Sequence, residues 1–385
     1  MSKRRIKMCL VIFIVAMIFG LSACESVGFY SQVVKGHSQI MLQREPIDQV
    51  VAKASTDQAL RSKLAIIQRA RAFAIKTLQL PDNGSYTQYV DTGRPYVVWN
   101  VVATGPFSSY PIEHCFPVAG CVSYRGYFKK AAAEAFSEQL KADGYDVIIS
   151  GASAYSTLGW FADPVLNTML YRSDLALAGL VFHELSHQQV YKAGDTAFNE
   201  SFATTVELAG IEAWATAQKA AQAAQATQIG EGTSQASIEL NRTKLANYKA
   251  AKLKNAEVVA LILAHRNKID LAYRNTDSND KQQLETVKAQ GFAELREAYK
   301  KLRSKGGGSK SYDQWFTGPL NNASLVLFGD YHGWVSAFDV LYAQSESDWP
   351  RFYESVQGLA ALDKTARRKK LEALQQIAKA QDAAQ

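Results

Sequence analysis

The stretch VFHELSHQQVY, residues 181–191, carries two histidines and a glutamate in the order H-E-x-x-H. It follows the apolar segment DLALAGLVF, and Ser173 stands where its hydroxyl can cap the first turn of a helix. Residues four apart lie on one face of an α-helix, so His183 and His187 point the same way with Glu184 beside them. The stretch therefore predicts a buried helix with these three polar side chains grouped together.

This grouping is typical of a hydrolytic metal site. Zinc hydrolysis needs three protein ligands, an open position for water and a carboxylate that takes the proton of the water. His183 and His187 are candidate ligands of one zinc ion, and Glu184 is the candidate catalytic base. The alternative is an ordinary helix that carries these residues by accident, but burying them without a metal ion or partners would be costly.

A third ligand is predicted from FNESFATTVE, residues 198–207. Gly194 can end the first helix, and Asp195 or Thr196 can begin a second one. If the two helices run antiparallel, Glu200 lies opposite the histidines. We therefore expect Glu200 to complete the metal site.

Two other glutamates on the same predicted helix remain alternatives to Glu200 as the third ligand. They are Glu207 and Glu212, and both are also candidates for holding the ammonium group of a substrate. Thr204 lies one turn after Glu200 and faces the same way, so it could support a ligand through a hydrogen bond.

The beginning of the chain predicts export. Its positive charges are Lys3, Arg4, Arg5 and Lys7. The apolar run at residues 8–23 is shorter than the ~20 residues of a membrane span, so residues 1–23 are interpreted as a signal peptide. Residues 21–24, LSAC, resemble a bacterial lipobox, which would make Cys24 the lipidated first residue of the mature chain. An uncleaved anchor and a soluble exported protein are the alternatives.

A lipid on Cys24 would anchor the protein in the bacterial cell envelope, facing the periplasm. Glu25 in place of aspartate favours the outer membrane by resemblance to lipoprotein sorting. Removal of residues 1–23 takes away four positive and no negative charges, so the formal net charge falls from +7 to +3. This charge does not favour nucleic acid as a partner.

Two cysteines remain in the mature chain besides the one that would carry the lipid, because Cys9 leaves with the signal peptide. In an oxidising periplasm Cys115 and Cys121 can close a small disulfide loop. Free or buried thiols are the alternative.

The pattern of the remaining chain predicts an α+β protein with a mixed core at residues 24–210. Helices are expected at 46–80 and 129–144, and strands at 94–103, 118–128 and 145–150. Residues 211–310, rich in Ala, Gln, Lys and Glu, predict a long helical arm or insertion, either simply solvated or contacting a partner. Residues 311–385 are expected to pack back on the core, with a tail that frays from Asp363 onward.

Seven segments together resemble a family of predicted aminopeptidases among bacterial lipoproteins, grouped as H-E-x-x-H zinc peptidases. They are LPDNGSY, GRPYVVWNV, CFPVAGCVSYRGYF, YSTLGWF, FHELSHQ, GDTAFNESFAT and LNNASL with the later YH. The resemblance covers most of residues 24–363 and is weakest in the helical arm. It implies a zincin-like catalytic core with a small mixed sheet, an active-site helix pair and a long helical insertion.

In gluzincins, the third ligand is a glutamate on the helix after H-E-x-x-H, often preceded by asparagine, and Asn199-Glu200 is similar to that feature. The spacing departs from the thermolysin-like enzymes, since only twelve residues lie between His187 and Glu200. A shorter loop between the helices would be needed.

Candidate groups for binding substrate lie outside the motif. Tyr331 and His332, in GDYHGW, offer donors for the tetrahedral intermediate of peptide hydrolysis, although capping or packing would explain them equally well. Tyr124, Arg125 and Tyr127 could line the cleft, with a structural salt bridge as the alternative for Arg125.

Three functions remain open at this point. The first is a lipid-anchored zinc aminopeptidase that acts on peptides or proteins, with the aminopeptidase mode implied by the resemblance. A second is a zinc endopeptidase or a hydrolase of cell-wall peptides. The third is a non-catalytic envelope lipoprotein that binds partners through its helical arm.

Overall fold

The computed structural model describes residues 28–116, 120–154, 156–157, 161–228, 235–328 and 333–383. The predicted signal peptide and Cys24 lie outside these residues. Within them, no helix is long and apolar enough to cross a membrane. Most of the described chain is helical, with small sheets beside the helices, as expected for an α+β protein.

The helices are α1 (28–42), α2 (Ile47–Ala52), α3 (Gln58–Lys76), α4 (Lys130–Ala142), α5 (Asp174–Gln189), α6 (Thr196–Gln228), α7 (Gln235–Arg274), α8 (Lys281–Ser304), α9 (Asp313–Thr317), α10 (Asn322–Val326), α11 (Val335–Gln344), α12 (Trp349–Ala361) and α13 (Lys364–Ala383). The strands are β1 (Glu45–Pro46), β2 (Gln88–Val90), β3 (Val98–Thr104), β4 (His114–Phe116), β5 (Gly120–Val122), β6 (Arg125–Tyr127), β7 (Asp146–Ala152) and β8 (Val165–Leu166).

The described strands form two small sheets and a hairpin. In the first sheet β2 pairs antiparallel with β1 and parallel with β8. In the second sheet β3 is central and pairs antiparallel with β6 and β7. The hairpin joins β4 to β5, where Cys115 lies opposite Cys121 and the two form the disulfide.

Helix α5 is the centre of the main hydrophobic core. Leu177, Val181, Phe182 and Leu185 are almost completely buried there, against α3 and α6. The close approach of α6 depends on Gly210, because a Cβ at this position would lie 2.8 Å from a methyl carbon of Leu78 and 2.9 Å from the Phe182 ring. The packing leaves the polar residues of α5 facing the first turns of α6.

Two expected elements are interrupted in the structure. The helix expected over 46–80 is divided into α2 and α3, because Asp57 caps α3 by accepting the backbone N–H of Leu60 at 2.8 Å. The strand expected over 118–128 is divided into β5 and β6, which pair with different partners.

The helical insertion has its own hydrophobic cluster, where α7 and α8 pack together and against α9 and α10. Its first helix does not start at residue 211 as the composition suggests. Helix α6, which carries Glu200, runs without interruption to Gln228, so the helix of the candidate third ligand and the beginning of the insertion are one element.

The expectation that the chain frays from Asp363 onward is wrong for residues 364–383, which form α13. Leu371 is almost completely buried in the main core. The buried guanidinium of Arg367 contacts Asp195 Oδ2 at 2.9 and 2.7 Å, directly before α6. An apolar contact and a buried ion pair therefore hold this charged helix on the molecule.

Candidate metal centre

Helix α5 begins as the sequence predicts and ends earlier. The Ser173 hydroxyl accepts the backbone N–H of Ala176 at 3.4 Å, which caps the first turn. The helix stops at Gln189, five residues before Gly194, whose φ of 76° belongs instead to the loop before α6. The expectation that Gly194 ends the helix is therefore wrong, because Val190 already has extended backbone geometry.

The short loop between α5 and α6 is closed by one side chain. The Asn199 amide accepts the backbone N–H of Lys192 and donates to the carbonyl of the same residue, both at 2.8 Å. Asp195 accepts the backbone N–H of Phe198 at 3.2 Å and so caps α6. These bonds fold the loop back on the helix, which explains how a short spacing brings Glu200 opposite the histidines.

Three side chains converge between the two helices. The Nε2 atom of His183 lies 3.3 Å from one carboxylate oxygen of Glu200, and Nε2 of His187 lies 3.6 Å from the other. One ligand atom from each of the three residues lies within 4.8 Å of the others. Two imidazoles and a carboxylate are a donor set that zinc accepts, so the residues fit one metal ion with a position left for water.

The carboxylates around His183 control its proton affinity. Burial by itself would lower the pKa of His183, but the hydrogen bonds with Glu200 and Glu207 and the charge of Glu184 outweigh it and raise the pKa to about 10. Burial and the charge of His183 lower the pKa of His187 to about 4. A bound cation would take over this interaction with the carboxylates, because ligation needs neutral imidazoles.

Glu184 lies on α5 beside the two histidines, and its surroundings change its pKa. Burial raises its pKa to about 7, and the charges of Glu200 and Asp163 act in the same direction against that of His183. A carboxylate with a pKa near neutrality can both accept and release a proton at physiological pH.

Of the alternative ligands, Glu207 contacts the opposite nitrogen of His183. Its Oε2 atom lies 3.4 Å from Nδ1, whereas the group of three convergent ligand atoms in the described chain does not include Glu207. The exposed carboxylate of Glu212 forms an ion pair with Lys249 on α7. Glu200 is thus the glutamate that the structure places in the candidate site.

Comparison with known protein families identifies one that covers most of the chain. The model of a protein family described as "Putative aminopeptidase" matches residues 28–371. The chain belongs to this aminopeptidase family. No curated protein and no solved structure matched it.

Two tyrosines of this aminopeptidase-family chain lie beside the cluster. The half-exposed ring of Tyr191 is 6.4 Å from the His187 ring, measured between centroids. Burial, with the charges of Tyr191 and Glu200, raises the pKa of Tyr124. Tyr124 was predicted to line the cleft, whereas Tyr191 was not predicted, although its position four residues after His187 places it close to the motif.

Arg125 and Tyr127, the other residues considered for the cleft, belong to an aromatic cluster. The guanidinium of Arg125 lies over the rings of Phe29 and Phe136, at 4.2 and 4.7 Å from their centroids. Tyr127 is buried in the core beneath the antiparallel sheet. The contacts described for these two residues are with α1, α4 and the sheet.

The remaining predicted residues are Tyr331, His332 and Thr204. Tyr331 and His332 lie outside the described residues. The chain resumes at Gly333, and the backbone N–H of Trp334 donates to the Ser201 hydroxyl at 3.1 Å, next to Glu200 in sequence. Thr204 is buried on α6, and its support of a ligand stays a prediction.

One buried hydroxyl near the site has no partner among the described residues. Tyr86 is 2% exposed, and its hydroxyl makes no hydrogen bond in that part of the chain. Burial raises the pKa of Tyr86, and the charges of Glu184 and Asp163 raise it further. The sequence carries no pattern that would have indicated this neighbour of Glu184.

A groove lies away from the candidate metal site. It encloses about 570 Å³ between the beginning of α5 and the side of α7. Tyr248 and Lys252 line it, and the same two side chains contact Glu207. The groove therefore lies behind the metal ligands, next to the insertion.

Proposed function

We propose that the protein is a zinc-dependent metallopeptidase with a zincin-like catalytic core, in which His183, His187 and Glu200 hold one ion. The observation that carries this proposal is the convergence of these three side chains with Glu184 next to them in sequence. When bound, the ion would supply Lewis-acid activation of water and of the peptide carbonyl.

The residues of the chain supply the remaining chemistry. Glu184 takes a proton from the attacking water and delivers it to the amine that leaves, a role suited to a pKa of about 7. Tyr191, whose ring lies 6.4 Å from that of His187, and Tyr124 are candidates to donate a hydrogen bond to the oxygen that gains negative charge. Tyr331 and His332 stay further candidates for this donation.

The aminopeptidase mode rests on the family to which the chain belongs. An aminopeptidase needs a carboxylate that is available for the substrate ammonium group. Glu207 contacts His183, Tyr248 and Lys252 at once, and Glu212 pairs with Lys249, so neither is the first choice. Stepwise removal of N-terminal residues is the proposed activity, and internal cleavage would be the second candidate.

The test is incubation of the zinc-loaded mature chain with a defined peptide mixture, followed by mass spectrometry. We expect products shortened from their N-termini, and Glu184→Gln should slow their formation by at least about 10²-fold while zinc is retained. Glu297→Gln, at an exposed ion pair with Lys300 on α8, is the matched control and should cleave at the wild-type rate. Equal rates in Glu184→Gln and wild type would overturn the proposed base, and internal cuts would change the class of peptidase.

We also propose that a lipid on Cys24 anchors the enzyme in the cell envelope, facing the periplasm. The proposal is supported by the short apolar run before LSAC. The disulfide between Cys115 and Cys121 is consistent with an oxidising compartment.

A further inference from the structure

The two ring nitrogens of His183 face different carboxylates. Nε2 lies 3.3 Å from Glu200, toward the candidate metal position, and Nδ1 lies 3.4 Å from Glu207. A carboxylate at the far nitrogen of a ligating histidine fixes the tautomer and the ring orientation and raises the basicity of the ligand. Glu207 is in the position for this role.

Glu207 is itself held by the helical insertion. The Tyr248 hydroxyl on α7 donates to Glu207 Oε1 at 2.6 Å, and the Lys252 ammonium, one turn later, forms an ion pair with the same oxygen. The Glu207 side chain is only 9% exposed. A buried carboxylate with three contacts of this kind has a defined position, because each contact restricts a different direction of movement.

Helix α5 leaves room for the Tyr248 and Glu207 side chains at Gly179. Gly179 precedes His183 by four residues and lies on the same face of α5. A Cβ at Gly179 would lie 2.9 Å from the Tyr248 hydroxyl and 3.1 Å from Glu207 Oε1. Any side chain at this position would displace the Tyr248 hydroxyl and the Glu207 carboxylate, which contact one another behind His183.

We propose that Glu207 is a positioning residue for the metal ligand His183, and that the helical insertion keeps it in place through Tyr248 and Lys252. The insertion is then a structural part of the metal centre. This inference rests on the metal site proposed above and does not depend on the kind of peptide bond that is cleaved.

The contact with Glu207 involves His183 of the histidine pair. His187 Nδ1 is buried and has no hydrogen-bond partner among the described residues. Of the two histidines, His183 is therefore the one through which Tyr248 and Lys252 should act on the metal centre.

The test measures zinc affinity by competition with a chelator in the full mature chain, and the absorption spectrum of the cobalt(II)-substituted protein. The variants are Glu207→Gln, Tyr248→Phe, Lys252→Met and Gly179→Ala. Lys249→Met is the matched control, because it removes another ion pair between α6 and α7, at Glu212, away from His183. Thermal unfolding of the metal-free proteins reports general damage to the fold.

Glu207→Gln should weaken zinc binding by about 10- to 100-fold, as expected for the loss of a carboxylate behind a ligating histidine. Tyr248→Phe, Lys252→Met and Gly179→Ala should weaken it less than Glu207→Gln and more than Lys249→Met. The cobalt spectrum should shift in Glu207→Gln and stay unchanged in Lys249→Met, a difference that loss of stability alone would not produce.

The outcomes separate the two proposals. The positioning role would be overturned if Glu207→Gln and Lys252→Met bound zinc as tightly as Lys249→Met, whatever the peptidase activity. If Glu207→Gln does not fold, the partly exposed Lys252 still decides the question. A wild-type chain that binds zinc without cleaving peptides would overturn only the peptidase, and one that binds no zinc would overturn both proposals.

Discussion

The proposed metal site depends on three side chains whose roles can be separated one residue at a time. Glu200→Gln should weaken zinc binding by more than about 10-fold, because an amide oxygen replaces a charged ligand atom. Glu212→Gln, on the same helix but paired with Lys249 at the surface, should keep the wild-type affinity. Chelator competition measures both, and equal affinities would show that Glu200 is not a ligand.

Asp163 offers a test of buried charge near the site. It is 1% exposed and accepts hydrogen bonds from Thr157 and Ser156. Burial nevertheless raises its pKa above 3.8, so the folded state binds the proton more tightly than the unfolded state. Its contribution to stability is therefore greatest below the ordinary pKa and is lost as the pH rises through the raised value.

The expected result is that the free energy of unfolding of wild type, minus that of Asp163→Asn, falls as the pH rises above 3.8. The direction in which this difference changes with pH, rather than its size at one pH, reports the shifted pKa. Chemical unfolding at several pH values supplies this direction. A difference that rises with pH would contradict the direction of the shift.

At the scale of the element, the packing of α6 on α5 and α3 depends on a missing side chain. Gly210→Ala should lower the free energy of unfolding by roughly 1–3 kcal/mol, because the new methyl group overlaps Leu78 and Phe182. Gly358→Ala on α12 is the control: no heavy atom lies within 4 Å of its Cβ position, and helix propensity should stabilise it by about 0.5–1 kcal/mol. Stabilisation by both substitutions would contradict the close packing.

The last helix provides a second test at this scale. Arg367→Met should destabilise the protein by roughly 3–5 kcal/mol, because it leaves Asp195 without its buried partner at the start of α6. Arg368→Met removes the exposed pair with Glu372 on the same helix and should change stability by less than about 1 kcal/mol. Urea unfolding compares the two, and equal effects would mean that the helix is not anchored through Arg367.

At the scale of the whole molecule, the proposed lipid anchor predicts where the protein is found. Wild type should sediment with membranes, and Cys24→Ala should lose the lipid and the processing that depends on it. The sixteen apolar residues before Cys24 are too few for a comfortable span of ~20 residues, so the lipid would provide the attachment. Cell fractionation with mass measurement of the mature chain checks this. Unchanged sedimentation and mass in Cys24→Ala would contradict the anchor.

Across the whole molecule, the parts of the site that could be predicted are those set by the local sequence. His183, Glu184 and His187 follow from helical periodicity, and Ser173 supplies the predicted cap. The prediction that Gly194 ends α5 was wrong, because a glycine with positive φ occurs in loops as well as at helix termini. The tail was misjudged because its charge pattern does not reveal the partner of Arg367, which is 172 residues away.

The sequence by itself determined the α+β class and the buried H-E-x-x-H helix, because these depend on the periodicity and capping of neighbouring residues, and it left Glu207 and Glu212 open beside Glu200 as the third ligand. Only the tertiary structure decided that Glu207 lies behind His183, that Tyr248 and Lys252 reach it from the insertion, and that Tyr191 and Tyr124 share the surroundings of Glu200. Apart from Tyr191, which follows directly after the H-E-x-x-H helix, these contacts join elements far apart in the chain. Their geometry is set by how helices pack rather than by any local pattern.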